Sequence, residues 1–267
     1  MFLDPNWRVL TVGDGDLSFS RALTHFIPAT QLVASVLDSE TVLREKYQAH
    51  AIDDLRALNV PIYFEFNVLD DSCWQQLAQK FDVVIFQFPL IPAFNDQQQF
   101  EQNPHSINTL NRILLRTFIS ASQRFALDSN GPMLSYITSK DVKPYRDWNI
   151  EGTLVQGLPY QFLGNSRFHL ERFPGYQIRN VDRDKHVKNT SGITYVWSPK
   201  PWPEAHQHAP HRPQIPYYFN GNYCTMCRAG EFKGEADIKA HNKSRLHKVA
   251  QLHENAWQSY LQQLENN

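Results

Sequence analysis

An α/β fold, a mostly parallel sheet with helices on both faces, is what this sequence predicts, and three observations predict it. Short apolar runs alternate with amphipathic stretches over the first 200 residues, the pattern of βα units. The first such run, "VLTVGDGDLSFSRAL" (9–23), stops at two glycines and passes into a helix-like segment, as a βα turn facing a ligand does. The chain of 267 residues accommodates one medium domain plus a small module, a size at which roughly 70–75 % of the unfolded surface is buried.

Taken in order, "WRVLTVG" reads as the first strand and "SFSRALTHF" as the helix after it. "QLVASVLDSE" is a second strand ending in Asp38, and "TVLREKYQAHAIDDLRALN" has helical periodicity throughout. "VPIYFEFNV" is a third strand, "SCWQQLAQK" a short helix, and "FDVVIFQFP" a strongly apolar fourth strand of the fully buried kind. A long helix is expected from near Ser106, a fifth strand over "GPMLSYITS", a helix over "WNIEGTLVQG", and a late strand pair over "YQFLGNSRFHL" and "GITYVWSP". The Pro- and His-rich stretch 199–216 reads as an extended, solvated linker between a first domain (1–198) and a C-terminal module (217–267).

Composition narrows the function. With 26 Lys and Arg against 27 Asp and Glu, the net charge is −1, so nucleic-acid binding has to come from local patches. No apolar run is long enough to span a bilayer, and the N-terminus lacks the basic and apolar regions of a signal peptide. Three cysteines, two of them as CxxC, form no disulfide framework. A reducing, intracellular setting is expected: the cytoplasm, or the nucleolus in a eukaryote.

The glycine turn lacks the third glycine of a dinucleotide fingerprint; Ser18 stands there, and Asp14 and Asp16 would repel a pyrophosphate. A cationic ligand with ribose hydroxyls suits the turn better, and S-adenosylmethionine is such a ligand; the alternative is a tight turn that holds nothing. Asp38, at the end of the second strand, is placed either to accept ribose hydroxyls or to cap the following helix. Asn67 or Asp70, after the third strand, can address an adenine amino group. After the fourth strand, Gln87 offers a donor and an acceptor, Phe88 a stacking face and Pro89 rigidity; together they suit a planar nucleobase, or else merely end a core strand.

"VGDGDLSFS", "FDVVIFQFP", "YITSKDVKPYRDWNIEG", "FPGYQIR" and "TYVW" resemble, in order and spacing, the ribosomal RNA uridine-N3 methyltransferase family over about residues 7–197. The resemblance implies a Rossmann-like class I methyltransferase sheet, S-adenosylmethionine as cofactor and RNA as substrate. It implies a cofactor site of Gly13, Asp14, Gly15, Asp16, Asp38 and Asn67, and a catalytic set of Gln87, Phe88, Pro89 and Lys140. Two positions depart from it: Gln87 stands where the family reads Asn, and Asn67 where it has an acid. Lys140 would steady charge on the base carbonyls, unless it is a solvated strand-end lysine; Asp16 or Asp141 would take the proton.

The C-terminal module carries Cys224, Cys227, His241 and His247 as C-x2-C-x13-H-x5-H, the donor set of a structural zinc site in a ββα-type finger. The histidines are expected on one helical face, with Phe232 and Ile238 as a small core. The spacing resembles the U1/matrin-type zinc finger, which implies RNA, often double-stranded. Lys239, Lys243, Arg245 and Lys248 supply a local basic face. The finger's helix is expected to continue, with Leu252, Trp257 and Leu261 as docking residues. The partners expected are RNA and no membrane, on a monomer. The competing readings are an RNA-binding protein without turnover, and a methyltransferase of non-RNA substrates whose finger is an interaction module.

Overall fold

The computed structural model describes residues 1–92, 102–179 and 192–266. Seven strands form one sheet: β1 (Val9–Val12), β2 (Leu32–Ser35), β3 (Ile62–Tyr63), β4 (Val83–Gln87), β5 (Leu134–Lys140), β6 (Gln161–Phe168) and β7 (Gly192–Ser198). Their order is β3-β2-β1-β4-β5-β7-β6; β1 to β5 pair parallel, and β7 runs antiparallel to both β5 and β6. This is a Rossmann-like sheet, and the late strand pair closes it as the sequence leads one to expect. Every residue of β1, β2 and β4 is buried, which is why these strands read as unbroken apolar runs rather than alternating ones.

Helices cover both faces. On one, α1 (Ser18–Leu23), α2 (Glu40–Lys46) and α3 (Ile52–Ala57) bury Phe19, Leu43 and Leu55 against Val9, Ile85 and Tyr136. On the other, α4 (Asp71–Gln75) and α5 (Ile107–Ala121) bury Trp74, Leu115, Phe118 and Ile119 against Leu10, Val84 and Ile137. Ser106 begins α5 by accepting a hydrogen bond from the Thr109 amide at 3.2 Å. The stretch 41–59 is not one helix. It breaks between α2 and α3, where Tyr47 is buried and the Ala51 amide donates to the Asp16 carbonyl at 2.9 Å, so the break walls the glycine turn.

After β5 a 3₁₀ turn (Tyr145–Trp148) leads into α6 (Ile150–Thr153). The stretch 199–216, expected to be solvated, is strapped to the sheet. Trp202 is buried against Phe2 and Trp7 and donates to the His206 carbonyl, and the Gln214 and Asn165 backbones exchange two hydrogen bonds. An indole buried with its N–H satisfied is a strong local anchor for this strap.

The C-terminal helix is also broken. Helix α7 (Glu235–Lys243) carries His241 and α8 (Arg245–Glu265) carries His247, with Ser244 capping α8 through the His247 amide at 3.2 Å. Six positions along a continuous helix would set the two imidazoles about 120° apart, on different faces and roughly 9 Å apart along the axis, so a shared site requires the break. Ile238 is 41 % exposed and forms no core, whereas Phe232 lies against the His241 ring. Trp257 and Leu261 are buried in the face that holds α5, while Leu252 is solvent-exposed. Among the described residues no helix is long and apolar enough to cross a membrane.

Candidate active site and metal centre

The sheet order reverses between β1 and β4, and ligands of open α/β sheets bind at that switch point, beyond the strands' C-terminal ends. A cavity of about 920 Å³ opens there, within the size range of small-molecule sites. Gly13, Asp14, Gly15, Asp16, Asp38, Asn67, Gln87, Phe88 and Pro89 all line it. Lys140 does not.

Gly13 has φ +63°, and a Cβ there would lie 2.6 Å from Phe86 Cε2; a side chain would strain the backbone and strike the ring. Asp14 turns inward to the start of α1, accepting from the Ser20 amide at 2.6 Å, the Ser20 hydroxyl at 2.6 Å and the Phe19 amide at 3.3 Å. Its task is to organise the turn. Burial first, and then the neighbouring Asp16 carboxylate, push Asp14 up to about 7. A raised folded value means that the native state holds this proton more tightly than the unfolded chain does, so ionisation costs stability as pH climbs from about 4 to 7. The stability difference between Asp14→Asn and the parent should move in the variant's favour over that interval and stay flat above it. Urea titrations at successive pH values check this, and a constant difference contradicts it.

Asp16 is buried and pairs with Arg179, which also donates to the Ala49 carbonyl at 3.2 Å and lies over the Tyr47 ring. The Ser18 hydroxyl accepts from the Gln177 amide at 3.0 Å. Residues 176–179 therefore strap the mouth of the turn, and Tyr176, Gln177, Ile178 and Arg179 belong to the cavity wall. Ser39, not Asp38, caps α2, its hydroxyl accepting from the Val42 amide. Asp38 points to the cavity with Oδ2 held by Lys46 Nζ at 2.9 Å. Asn67 Oδ1 accepts from the Leu69 amide, which fixes the side chain. Asp70 caps α4 through the Ser72 amide at 2.9 Å and is not in the wall.

At the end of β4, Gln87 is 7 % exposed, and among the described residues neither its Oε1 nor its Nε2 has a hydrogen-bond partner. An amide buried in this way costs about 1–3 kcal/mol unless something outside the chain satisfies it. Phe88 follows with φ 48°, an uncommon conformation for a bulky residue, anchored by its amide donating to the Thr138 carbonyl at 2.8 Å. Its ring meets Phe168 edge-on. Lys140, the last residue of β5, holds Nζ 5.5 Å from the Tyr145 ring centroid, and partial burial lowers its pKa. Asp141 is taken by Arg146 at 2.7 Å and Arg228 at 3.0 Å, so it is a structural anchor and does not meet Gln87 in the cavity wall.

The ligand atoms of Cys224, Cys227, His241 and His247 lie within 4.8 Å of one another. His247 Nδ1 is 3.6 and 3.7 Å from the two sulfurs and 3.2 Å from His241 Nε2. A tetrahedron with ordinary zinc bond lengths has S–N edges of about 3.6 Å and an N–N edge of about 3.3 Å, so the three edges at His247 Nδ1 match that ion. The hairpin expected around the cysteines is reduced to one antiparallel bridge, Cys224 to Ala229.

A family model described as BMT5-like, rRNA (uridine-N3-)-methyltransferase BTM5-like, matches residues 10–180. Heavy metal-associated isoprenylated plant protein 41 of Arabidopsis thaliana is 28 % identical over 181 residues, 66 % of this chain and 33 % of that protein. The chain thus spans about a third of the length of this curated relative. Two solved structures reach a TM-score of 0.42: Methanococcus jannaschii fibrillarin pre-rRNA processing protein at 12 % identity (75 % of this chain, 70 % of that one), and Pyrococcus horikoshii NSun6 with SFG at 11 % (73 % and 48 %). Thermus thermophilus TrmN follows at 0.38 and 13 % identity (73 % and 44 %).

Proposed function

Because the chain belongs to the BMT5-like rRNA (uridine-N3-)-methyltransferase family, we propose that it methylates N3 of a uridine in structured ribosomal RNA, using S-adenosylmethionine. In this reading Cys224, Cys227, His241 and His247 hold a structural zinc ion, and the segment around them helps to hold the RNA. The observation that carries the proposal is the buried, unpartnered amide of Gln87 at the end of β4, in a cavity at the switch point of the sheet.

S-adenosylmethionine, when bound, supplies a methyl group already activated on a sulfonium. The residues have the character to hold it. Gly13 gives backbone access, and the free oxygen of the Asp38 carboxylate accepts ribose hydroxyls at charge-assisted strength while Lys46 steadies the other. Asn67, fixed by its own turn, stands on the adenine side. Gln87 orients the acceptor base: Nε2 donates to the ring carbonyl beside N3, which steadies the negative charge on the base once its N3 proton has gone to solvent and leaves N3 open to the methyl. Phe88 and Pro89 form a stiff edge that keeps the ring in line and water out. Lys140 is assigned to the RNA outside the cavity.

Asp38→Ala is expected to weaken S-adenosylmethionine binding by about 10- to 100-fold, the worth of hydrogen bonds to a charged group. Calorimetric titration of parent and variant measures this; equal affinities would remove the ribose assignment. Transfer of labelled methyl to RNA by the zinc-loaded chain tests the reaction itself.

A further inference from the structure

The family match ends at residue 180 and leaves the joint between the metal-binding segment and the sheet without a role. Arg228 follows Cys227 directly, in left-handed backbone (φ 51°), and its side chain enters the core. Its guanidinium donates to Asp141 Oδ1 at 3.0 Å, Glu151 Oε2 at 3.0 Å and the Tyr195 hydroxyl at 2.7 Å. Its Nε lies 2.9 Å from Glu151 Oε1, which also accepts from the Tyr218 hydroxyl at 2.6 Å. The Arg228 side chain is 14 % exposed and that of Glu151 is 1 % exposed. Forked, desolvated pairs of this kind carry geometric specificity and are costly to break from one side.

This one side chain, rooted beside a metal ligand, joins the start of the loop after β5, helix α6 and strand β7. Exposed cations stand on both sides of the joint: Lys143 and Arg146 on the loop, at 60 % and 51 % exposure, and Lys243 and Arg245 on the helices that carry the histidines. A flexible tether would bring RNA to the cavity over a range of offsets; a rigid joint permits one.

We propose that Arg228 locks the metal-binding segment and the sheet domain into one rigid body, so that RNA held by the segment meets the cavity at a fixed offset. The RNA half of this rests on the methyltransferase reading; the lock does not. Arg228 is a positioning residue, and the metal at its root stabilises the 141–153 segment.

Amide hydrogen exchange on the full chain tests the lock with neither RNA nor cofactor present. Stripping the metal by chelation is expected to speed exchange of residues 145–153 at least about tenfold, along with that of 224–243. Arg228→Met should do the same to 145–153 while keeping one zinc per chain, and Arg228→Lys should recover part of the protection. If 224–243 loses protection on metal removal and 145–153 does not change, the lock is overturned. That result is available from the parent chain even if the methionine variant does not fold. In the RNA arm, the methionine variant should bind structured RNA within about threefold of the parent yet spread its methylation over neighbouring uridines, lowering positional selectivity about tenfold or more. Unchanged selectivity with protection lost would overturn the fixed offset, whereas no methylation by the parent would strike the function and leave the lock standing.

Discussion

Gln87→Leu is expected to abolish most methyl transfer and to make the protein more stable. The amide is buried at the end of β4 with both polar atoms unpartnered among the described residues. Leucine of similar volume removes a desolvation cost of about 1–3 kcal/mol, which for a domain of this size raises the melting temperature by several degrees, about 2–4 °C per kcal/mol. The same change takes away the donor aimed at the base, and loss of one such preorganised group lowers turnover by about 10²–10³-fold. Melting curves and single-turnover methyl transfer measure the two effects on one variant. A variant both less stable and fully active would contradict the assignment of Gln87. Opposite signs of the two effects separate a residue kept for function from one kept for packing.

The second large effect concerns stability alone. Arg112, on α5, has 1 % of its side chain exposed and reaches Glu254 of α8 at 2.9 Å, the Asp147 carbonyl at 3.0 Å and the face of Trp257. Burial holds its pKa below the usual arginine value, with the Glu254 hydrogen bond opposing. Arg112→Ala leaves Glu254 in a largely dry site, a change that costs about 3–5 kcal/mol. Arg112→Met with Glu254→Leu should recover most of that loss, since two apolar groups of matching volume carry no desolvation debt. Chemical denaturation of the single and double variants decides. A mild single loss, or a double variant as weak as the single, would mean that the C-terminal helix is not held through this pair.

Local chemistry made most of the fold legible in advance. The buried parallel strands announced themselves as apolar runs, and Gly13 marked the turn because its backbone conformation and its approach to Phe86 exclude a side chain. Nine of the ten residues singled out for the cavity line it, since each sits at the end of a strand that the periodicity had placed. Lys140 is the exception: one strand away from Gln87, its amine is turned to Tyr145.

What stayed hidden depends on contacts distant in sequence. Arg179 meets Asp16 across 163 positions, and no local pattern announces it. Arg228 carries no local signal, yet its guanidinium is the one that meets Asp141, Glu151 and Tyr195. Ser244 did leave a signal. A capping residue between two histidines six positions apart could have told of two helices instead of one. Trp202 likewise argued against a solvated linker, since its apolar body is buried, whereas Trp257 and Leu261 were legible as docking residues and are buried as such.

The most direct measurement is the identity of the nucleoside made when the zinc-loaded chain is incubated with ribosomal RNA and S-adenosylmethionine bearing an isotopic methyl group. Digestion and mass spectrometry should find the label as 3-methyluridine, abolished in Gln87→Leu. Label on any other nucleoside, or none in any RNA fraction, would contradict the account.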